Sequence, residues 1–344
     1  MGFKEIVGQD RVVATLTAAL KGGTLHHGYL FGGPDGVGKE LCARTLAQAA
    51  NCEREDGDAC GVCGPCRRVA ARNHVDVVFV LPEAEQVSRG WAGRADFDTT
   101  PSREIKIAQI RKLQERLSFK ALEARRKFAL ILCADAMNVQ AQHALLKTLE
   151  EPPDDTTLVL VSASPNALLP TIRSRCLKLS FAPLPLDFVA ERVAKEKKAD
   201  LATARLCAAL ADGSLGAALQ FDPATLERRK ELLERLEALS AGDARAALAF
   251  AADFAAERSL AEVHLDLICA WYRDVTALAS GGSEDAIANR DLLDLARDAA
   301  QRLGPLEALR RIDLCGQVKS TLRFNASPRL QMEQAALRFA FPDL

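Results

Sequence analysis

The sequence predicts an α/β domain on a parallel sheet followed by an all-helical half, and three observations predict it. Short apolar runs alternate with helical patterns through residues 1–182. A glycine-rich phosphate loop joins one such strand to one such helix. Beyond Leu186 the strand signals stop, and Ala, Leu, Glu and Arg dominate. Strands that are apolar on both faces need cover on both, so the alternation implies a parallel sheet between layers of helix.

The first strand is Gly28-Tyr29-Leu30-Phe31-Gly32, and the helix after the loop begins at Glu40 and carries apolar residues at helical spacing to Ala49. Between them lies Gly33-Pro34-Asp35-Gly36-Val37-Gly38-Lys39. In a loop of this form the glycines let successive N–H groups converge on phosphate oxygens, the Lys neutralises the outer phosphates, and a following Ser or Thr hydroxyl ligates magnesium. Here Glu40 stands where the hydroxyl belongs. A carboxylate beside a triphosphate impairs hydrolysis more directly than binding, although it still has the chemistry to approach a metal. The order strand, glycine loop, helix favours a true phosphate loop over a connector with a solvated Lys39.

Four of the ten cysteines, Cys52, Cys60, Cys63 and Cys66, are spaced C-x7-C-x2-C-x2-C among Gly57, Gly61 and Gly64-Pro65 turns. Four thiolates brought together by tight turns suit tetrahedral Zn²⁺, and with four protein ligands the site is structural. A set of reduced thiols or a redox C-x-x-C pair is the alternative. The other six, Cys42, Cys133, Cys176, Cys207, Cys269 and Cys315, stand singly among apolar neighbours and read as small buried hydrophobes.

Further strands are expected at His74–Leu81, Lys127–Cys133, Thr157–Ser162 and Cys176–Phe181, with Pro82–Pro101 as an irregular loop. Ile107, Ile110, Leu113 and Leu117 share a helical face, and the helix through Ala144–Glu151 is stopped by Pro152-Pro153. Pro183 and Pro185 mark one boundary and Phe221-Asp222-Pro223 a second, so a small helical domain at 183–222 and a bundle at 223–344 are expected. The run Leu226–Leu239 is too short for a coiled coil and reads as a bundle face.

Composition narrows the function. A net charge of −1 and 5% aromatic residues disfavour a stand-alone nucleic-acid binder, with neither a basic field nor stacking platforms. No apolar run is long enough for a membrane span, and the first residues lack the apolar core of a secretory signal. Met1-Gly2 is followed by Ile6 where the acylation pattern wants Ser or Thr, so a cytoplasmic protein is expected.

Together, Val7-Gly8-Gln9, His26-His27-Gly28-Tyr29-Leu30-Phe31, the four cysteines, Ala144 to Pro153 and Ser174-Arg175-Cys176 resemble the clamp-loader subunits of the AAA+ class, and among them the delta-prime branch of bacterial DNA polymerase III. The resemblance runs over roughly residues 3–220, and the segment Asn325–Glu333 is similar to the family's closing segment. It implies an AAA+ P-loop domain at 1–182 with a zinc module at 52–66, a helical lid at 183–222 and a collar at 223–344. It implies nucleotide contacts from Val7, Gln9, Gly33, Gly36, Gly38 and Lys39, with ATP or ADP bound weakly or not at all.

The same resemblance points to three losses. The acidic pair that holds magnesium falls on Leu132 and Cys133, the γ-phosphate sensor arginine falls on Gly216, and Glu40 replaces the hydroxyl. Asp135 next to the lost pair is expected, with Asn138, to cap the following helix. Arg175 is retained, and in the family this arginine is a finger offered in trans to the neighbour's nucleotide. The implied role is a non-hydrolysing subunit in a pentameric assembly with delta and tau/gamma, which opens the beta clamp and places it on primed DNA. Two alternatives stand beside it: a tau/gamma-type ATPase that tolerates Glu40, and a nucleic-acid module in which the zinc knuckle and Arg67-Arg68 contact phosphates.

Overall fold

The structure, a computed structural model, describes residues 2–239, 242–255, 258–284, 287–323 and 326–341. The chain divides into two compact units, Met1–Leu184 and Pro185–Leu344. Asn325, the first residue of the closing segment, lies outside the described residues.

In the first unit α1 (Asp10–Lys21) precedes β1 (Gly28–Gly32), and α2 (Lys39–Ala50), α3 (Gly64–Ala70), β2 (Val77–Val80) and α4 (Glu83–Ser88) follow. Then come α5 (Ile107–Ser118), β3 (Lys127–Ile131), α6 (Val139–Glu150), β4 (Thr156–Ser162), α7 (Pro170–Arg175) and β5 (Leu177–Ser180). The five strands form one sheet in the order β2-β3-β4-β1-β5, and every pairing is parallel. β1 lies between β4 and β5, with Leu30 opposite Leu160 of β4 and Tyr29 opposite Leu177 of β5.

β1, β3 and β4 are buried along nearly their whole length, which is why they read as continuous apolar runs. Side chains still alternate between faces. Leu30, Ile131 and Leu160 join Ile110, Leu113 and Leu117 of α5 and Leu145 and Leu149 of α6 in one core, and α2 packs against β3 and β4. α6 starts where Asn138 accepts the N–H of Ala141 at 2.9 Å, and α7 starts at Pro170, whose missing N–H costs nothing at a helix N-terminus.

Two expectations need correction. The stretch Pro82–Pro101 is not wholly irregular: it holds α4 and a short 3-10 turn at Arg94–Asp96. Pro82 starts α4, and an i,i+4 ion pair between Glu85 and Arg89 supports its end. The second strand begins at Val77 and not at His74, because residues 75–76 form a turn in which the carbonyl of His74 accepts the N–H of Val77 at 3.2 Å; the Asp76 side chain meanwhile accepts the N–H groups of Leu122, Glu123 and Ala124 at 2.8–3.1 Å. Burial works against that carboxylate's charge, but the three donors more than offset it and hold its pKa below the usual carboxylate range.

The second unit is helical among its described residues. It contains α8 (Leu186–Lys197), α9 (Leu201–Leu210), α10 (Leu215–Ala218), α11 (Pro223–Glu237), α12 (Ala244–Phe254), α13 (Arg258–Ala279), α14 (Leu293–Arg323) and α15 (Pro328–Ala340). Asp200, Ser214, Asp222 and Asp243 cap α9 to α12 with their side chains. α11 buries Arg229, Leu232, Leu233 and Leu236, one face of a bundle helix. Arg273 of α13 donates to the carbonyl of Ala209 at 3.1 Å and pairs with Asp212 at 2.8 Å, so the segment expected as a lid is tied to the bundle. α14 is broken at Gly304, whose φ of 68° is left-handed, and Pro305 follows.

Candidate functional site

The phosphate loop leaves β1 at its carboxyl end and enters α2. Gly33 has φ 147°, and a Cβ there would lie 2.4 Å from the carbonyl oxygen of Phe181, so only glycine fits. Gly36 and Gly38 also have positive φ, 73° and 96°. Lys39 is 4% exposed, and its ammonium donates to the carbonyls of Gly33, at 2.6 Å, and Pro34, with Asp35 at 3.7 Å. Burial lowers its pKa, while the negative groups Asp35 and Asp135 oppose the shift.

The other nucleotide candidates divide. Gln9 is 3% exposed and bonds both backbone groups of Ala182, donating at 2.8 Å and accepting at 3.1 Å. It thereby ties the start of the chain to the segment after β5. Val7 is exposed at the surface.

At the position of the missing hydroxyl, Glu40 Oε2 lies 2.6 Å from Nη1 of Arg89, whose Nε donates to Glu85 at 2.7 Å. Partial burial disfavours the charge on Arg89, but Glu40 and then Glu85 outweigh it and raise its pKa. Past the end of β3, Leu132 is buried and Cys133 takes a left-handed turn with φ 53°, and burial pushes the Cys133 thiol up to about 12. Neither side chain offers a carboxylate. The residue that caps α6 is Asn138, and Asp135 lies in the 3-10 turn before it. Asp135 accepts the N–H of Ala163 at 3.3 Å beyond the end of β4, on the sheet edge that carries Lys39. Gly216 lies within α10.

Arg175, the last residue of α7, is at the opposite end of the sheet. It lines an open cleft with His26, His27, Leu149, Glu150 and Leu177, all near the amino ends of the parallel strands. Its guanidinium is about a third exposed, pairs with Glu150 at 2.8 Å and donates to the carbonyl of Thr171 at 3.0 Å. The rings of His26 and His27 stack at 4.2 Å, and burial followed by the charge of His26 lowers the pKa of His27.

The four cysteines converge between α2 and the first turn of α3. Their Sγ atoms all lie within 4.8 Å of one another, with Cys60–Cys66 and Cys52–Cys63 both at 4.0 Å. Tetrahedral zinc with Zn–S bonds of about 2.3 Å requires edges of about 3.8 Å, so the cluster fits the ion. Val62 and Cys63 aim N–H groups at Cys60 Sγ and pull its pKa down to about 6, whereas burial raises Cys52 and Cys66. Beside the knuckle, Arg68 is committed to Glu123 at 2.8–3.0 Å, which weakens the phosphate-binding alternative.

The sequence had offered no signal for Arg89 or Glu150. Each meets its partner, Glu40 or Arg175, across a chain separation that local pattern does not span.

The family model described as DNA polymerase III, delta subunit, matches residues 8–185, and the model of that subunit's C terminal matches 223–340. The chain is 31% identical over 334 residues to the Bacillus subtilis DNA polymerase III subunit delta', covering 96% of this chain and 95% of that one. It is 39% identical over 160 residues to the Pseudomonas aeruginosa subunit delta', covering 46% and 44%. It is 33% identical over 229 residues to the Escherichia coli subunit tau, covering 64% of this chain and 32% of that longer protein. The parallel sheet with its phosphate loop fits the AAA+ class expected from the sequence, and no described helix is long and apolar enough to cross a membrane. With both halves matched and a delta' relative aligned almost end to end, the chain belongs to the delta' family of bacterial DNA polymerase III clamp-loader subunits.

Proposed function

We propose that this chain is a clamp-loader subunit that does not hydrolyse ATP and that offers Arg175 to the nucleotide of a neighbouring tau/gamma-type subunit. The observation that carries the reading is the state of its own pocket. Glu40 replaces the magnesium-binding hydroxyl and is ion-paired to Arg89, and the end of β3 holds Leu132 and Cys133 in place of carboxylates. Lys39, Gly33, Gly36 and Gly38 keep the shape of a phosphate cradle, so weak retention of ATP or ADP is compatible with lost cleavage. An exposed guanidinium at the far end of the sheet is the group that stabilises charge on a transferred phosphoryl when supplied by a neighbour.

In this reading residues 183–222 are a lid and 223–344 a collar for assembly with tau/gamma and delta. The complex acts in the cytoplasm and loads the beta clamp onto primed DNA. Zinc on Cys52, Cys60, Cys63 and Cys66 stiffens the connection between α2 and α3, where the cysteine segment is too short to build a core. The 33% identity to a tau subunit favours the ATPase alternative only as far as shared ancestry does.

The test is ATP turnover by the purified chain in magnesium buffer, together with co-purification with tau/gamma and delta. No turnover and stable co-assembly are expected. Brisk turnover abolished by Lys39→Ala overturns the reading in favour of a motor subunit.

A further inference from the structure

An active phosphate loop holds magnesium between a hydroxyl and a carboxylate at the end of the neighbouring strand. The residues here do not fit that ion: the hydroxyl's place is taken by Glu40, the strand end by Leu132 and Cys133, and the Glu40 carboxylate is already engaged by a cation of the chain itself. We infer that Arg89 is a specificity-determining residue of the pocket, whose guanidinium stands in for magnesium on Glu40 and restricts the loop to metal-free phosphate ligands.

The guanidinium is built into place and is not a stray surface contact. Its Nε is fixed by Glu85 at 2.7 Å, and its Cζ lies 5.5 Å from the centroid of the Trp91 ring. Trp91 in turn meets Phe79 of β2 edge-on at 5.9 Å and is covered by Arg72 at 4.2 Å, and its backbone N–H donates to the carbonyl of Gln86 at 2.8 Å. Gln86 closes the chain of contacts on the carbonyl of Leu81 at 3.1 Å. The segment after β2 is therefore anchored to the sheet and carries Arg89 to the mouth of α2.

Charge then decides which ligand the pocket takes. Glu40, Glu85 and Arg89 together carry one net negative charge, and the shared arginine satisfies both carboxylates. Without Arg89 two carboxylates remain, repelling a bare phosphate and attracting a divalent cation that bridges to it. The inference rests on the non-hydrolysing reading above but makes a separate claim, about metal dependence of binding and not about turnover.

The experiment titrates a fluorescent ADP analogue into the full-length chain with magnesium or with EDTA, for the parent, Arg89→Ala and Glu40→Gln, with circular dichroism as the folding control. In the parent, magnesium weakens the apparent affinity, because it draws the analogue into a metal complex that the loop does not take. In Arg89→Ala it strengthens binding by about tenfold or more, the effect of recovering a single charge-assisted contact. Glu40→Gln removes a repelling carboxylate and keeps the guanidinium, so it binds the metal-free analogue more tightly and, like the parent, gains nothing from magnesium; this variant decides the matter if Arg89→Ala does not fold. Equal magnesium response in parent and Arg89→Ala, including no binding by either, overturns the inference, as does a magnesium requirement in the parent or in Glu40→Gln. ATP turnover by the parent without any change in these responses sinks the proposed function alone.

Discussion

Replacing Arg175 by Ala separates what this residue does for its own fold from the role proposed for it in trans. In its own chain Arg175 makes one ion pair, with Glu150 at 2.8 Å, and one hydrogen bond to Thr171, both at a partly exposed surface. Exposed pairs of this kind contribute about 0–1 kcal/mol, and Glu150 is left in water, not buried and unpaired. The thermal midpoint is therefore expected to move by less than about 4 °C for a chain of this size. The effect on catalysis in trans is of another order, since arginine fingers account for roughly 10³–10⁵ in rate where they have been removed. DNA-stimulated ATPase is measured on complexes reconstituted with tau/gamma and delta, by single turnover so that the site facing this subunit is resolved from the others. That site should slow by at least about a hundredfold with assembly intact. Arg175→Lys should not rescue it, because a point charge lacks the planar fork. An unchanged single-turnover rate with Arg175→Ala in a fully assembled complex refutes the trans role.

Metal analysis should find one equivalent of zinc per chain, and thiol-modifying reagents should release it with a loss of thermal stability; a metal-free chain that melts at the same temperature contradicts the site. Asp76→Ala should cost about 2–3 kcal/mol in urea denaturation, because three backbone donors lose a charged acceptor. The folded pKa of Asp76 is depressed, so its contribution is present above the unfolded value near 3.9 and is lost as pH falls below it; the difference between parent and Asp76→Ala should shrink in acid. Gly33→Ala should destabilise by about 1–3 kcal/mol, since the new methyl meets the Phe181 carbonyl in a backbone conformation that disfavours any Cβ; a melt equal to the parent's is the contrary result.

The strands and the phosphate loop were legible because each is a local pattern: a buried parallel strand is a continuous apolar run, and a glycine loop is a fixed spacing. The four cysteines were legible for the same reason, since all four lie within fifteen residues of one another. What sequence reasoning missed is mostly non-local. Arg89 approaches Glu40 only after β2 and α4 fold beside α2, and nothing in the polar run Pro82–Pro101 marks one arginine over another. Asp135 was assigned to a helix cap by its nearness to Asn138, but the 3-10 turn after β3 sends its carboxylate to Ala163 instead. The second strand starts three residues later than the apolar run, because a turn is closed between His74 and Val77 by a backbone hydrogen bond that a hydropathy pattern cannot register.

Because β1 and β5 run side by side in the same direction, with Tyr29 opposite Leu177, the glycine loop and Arg175 lie at opposite poles of the sheet. A protein that gives at one pole and receives at the other stacks head to tail, and like copies would go on adding in a single direction. On the reading above, blunting the receiving pole while sparing the giving one makes this chain a terminator: it completes the last pocket in a row and opens none of its own.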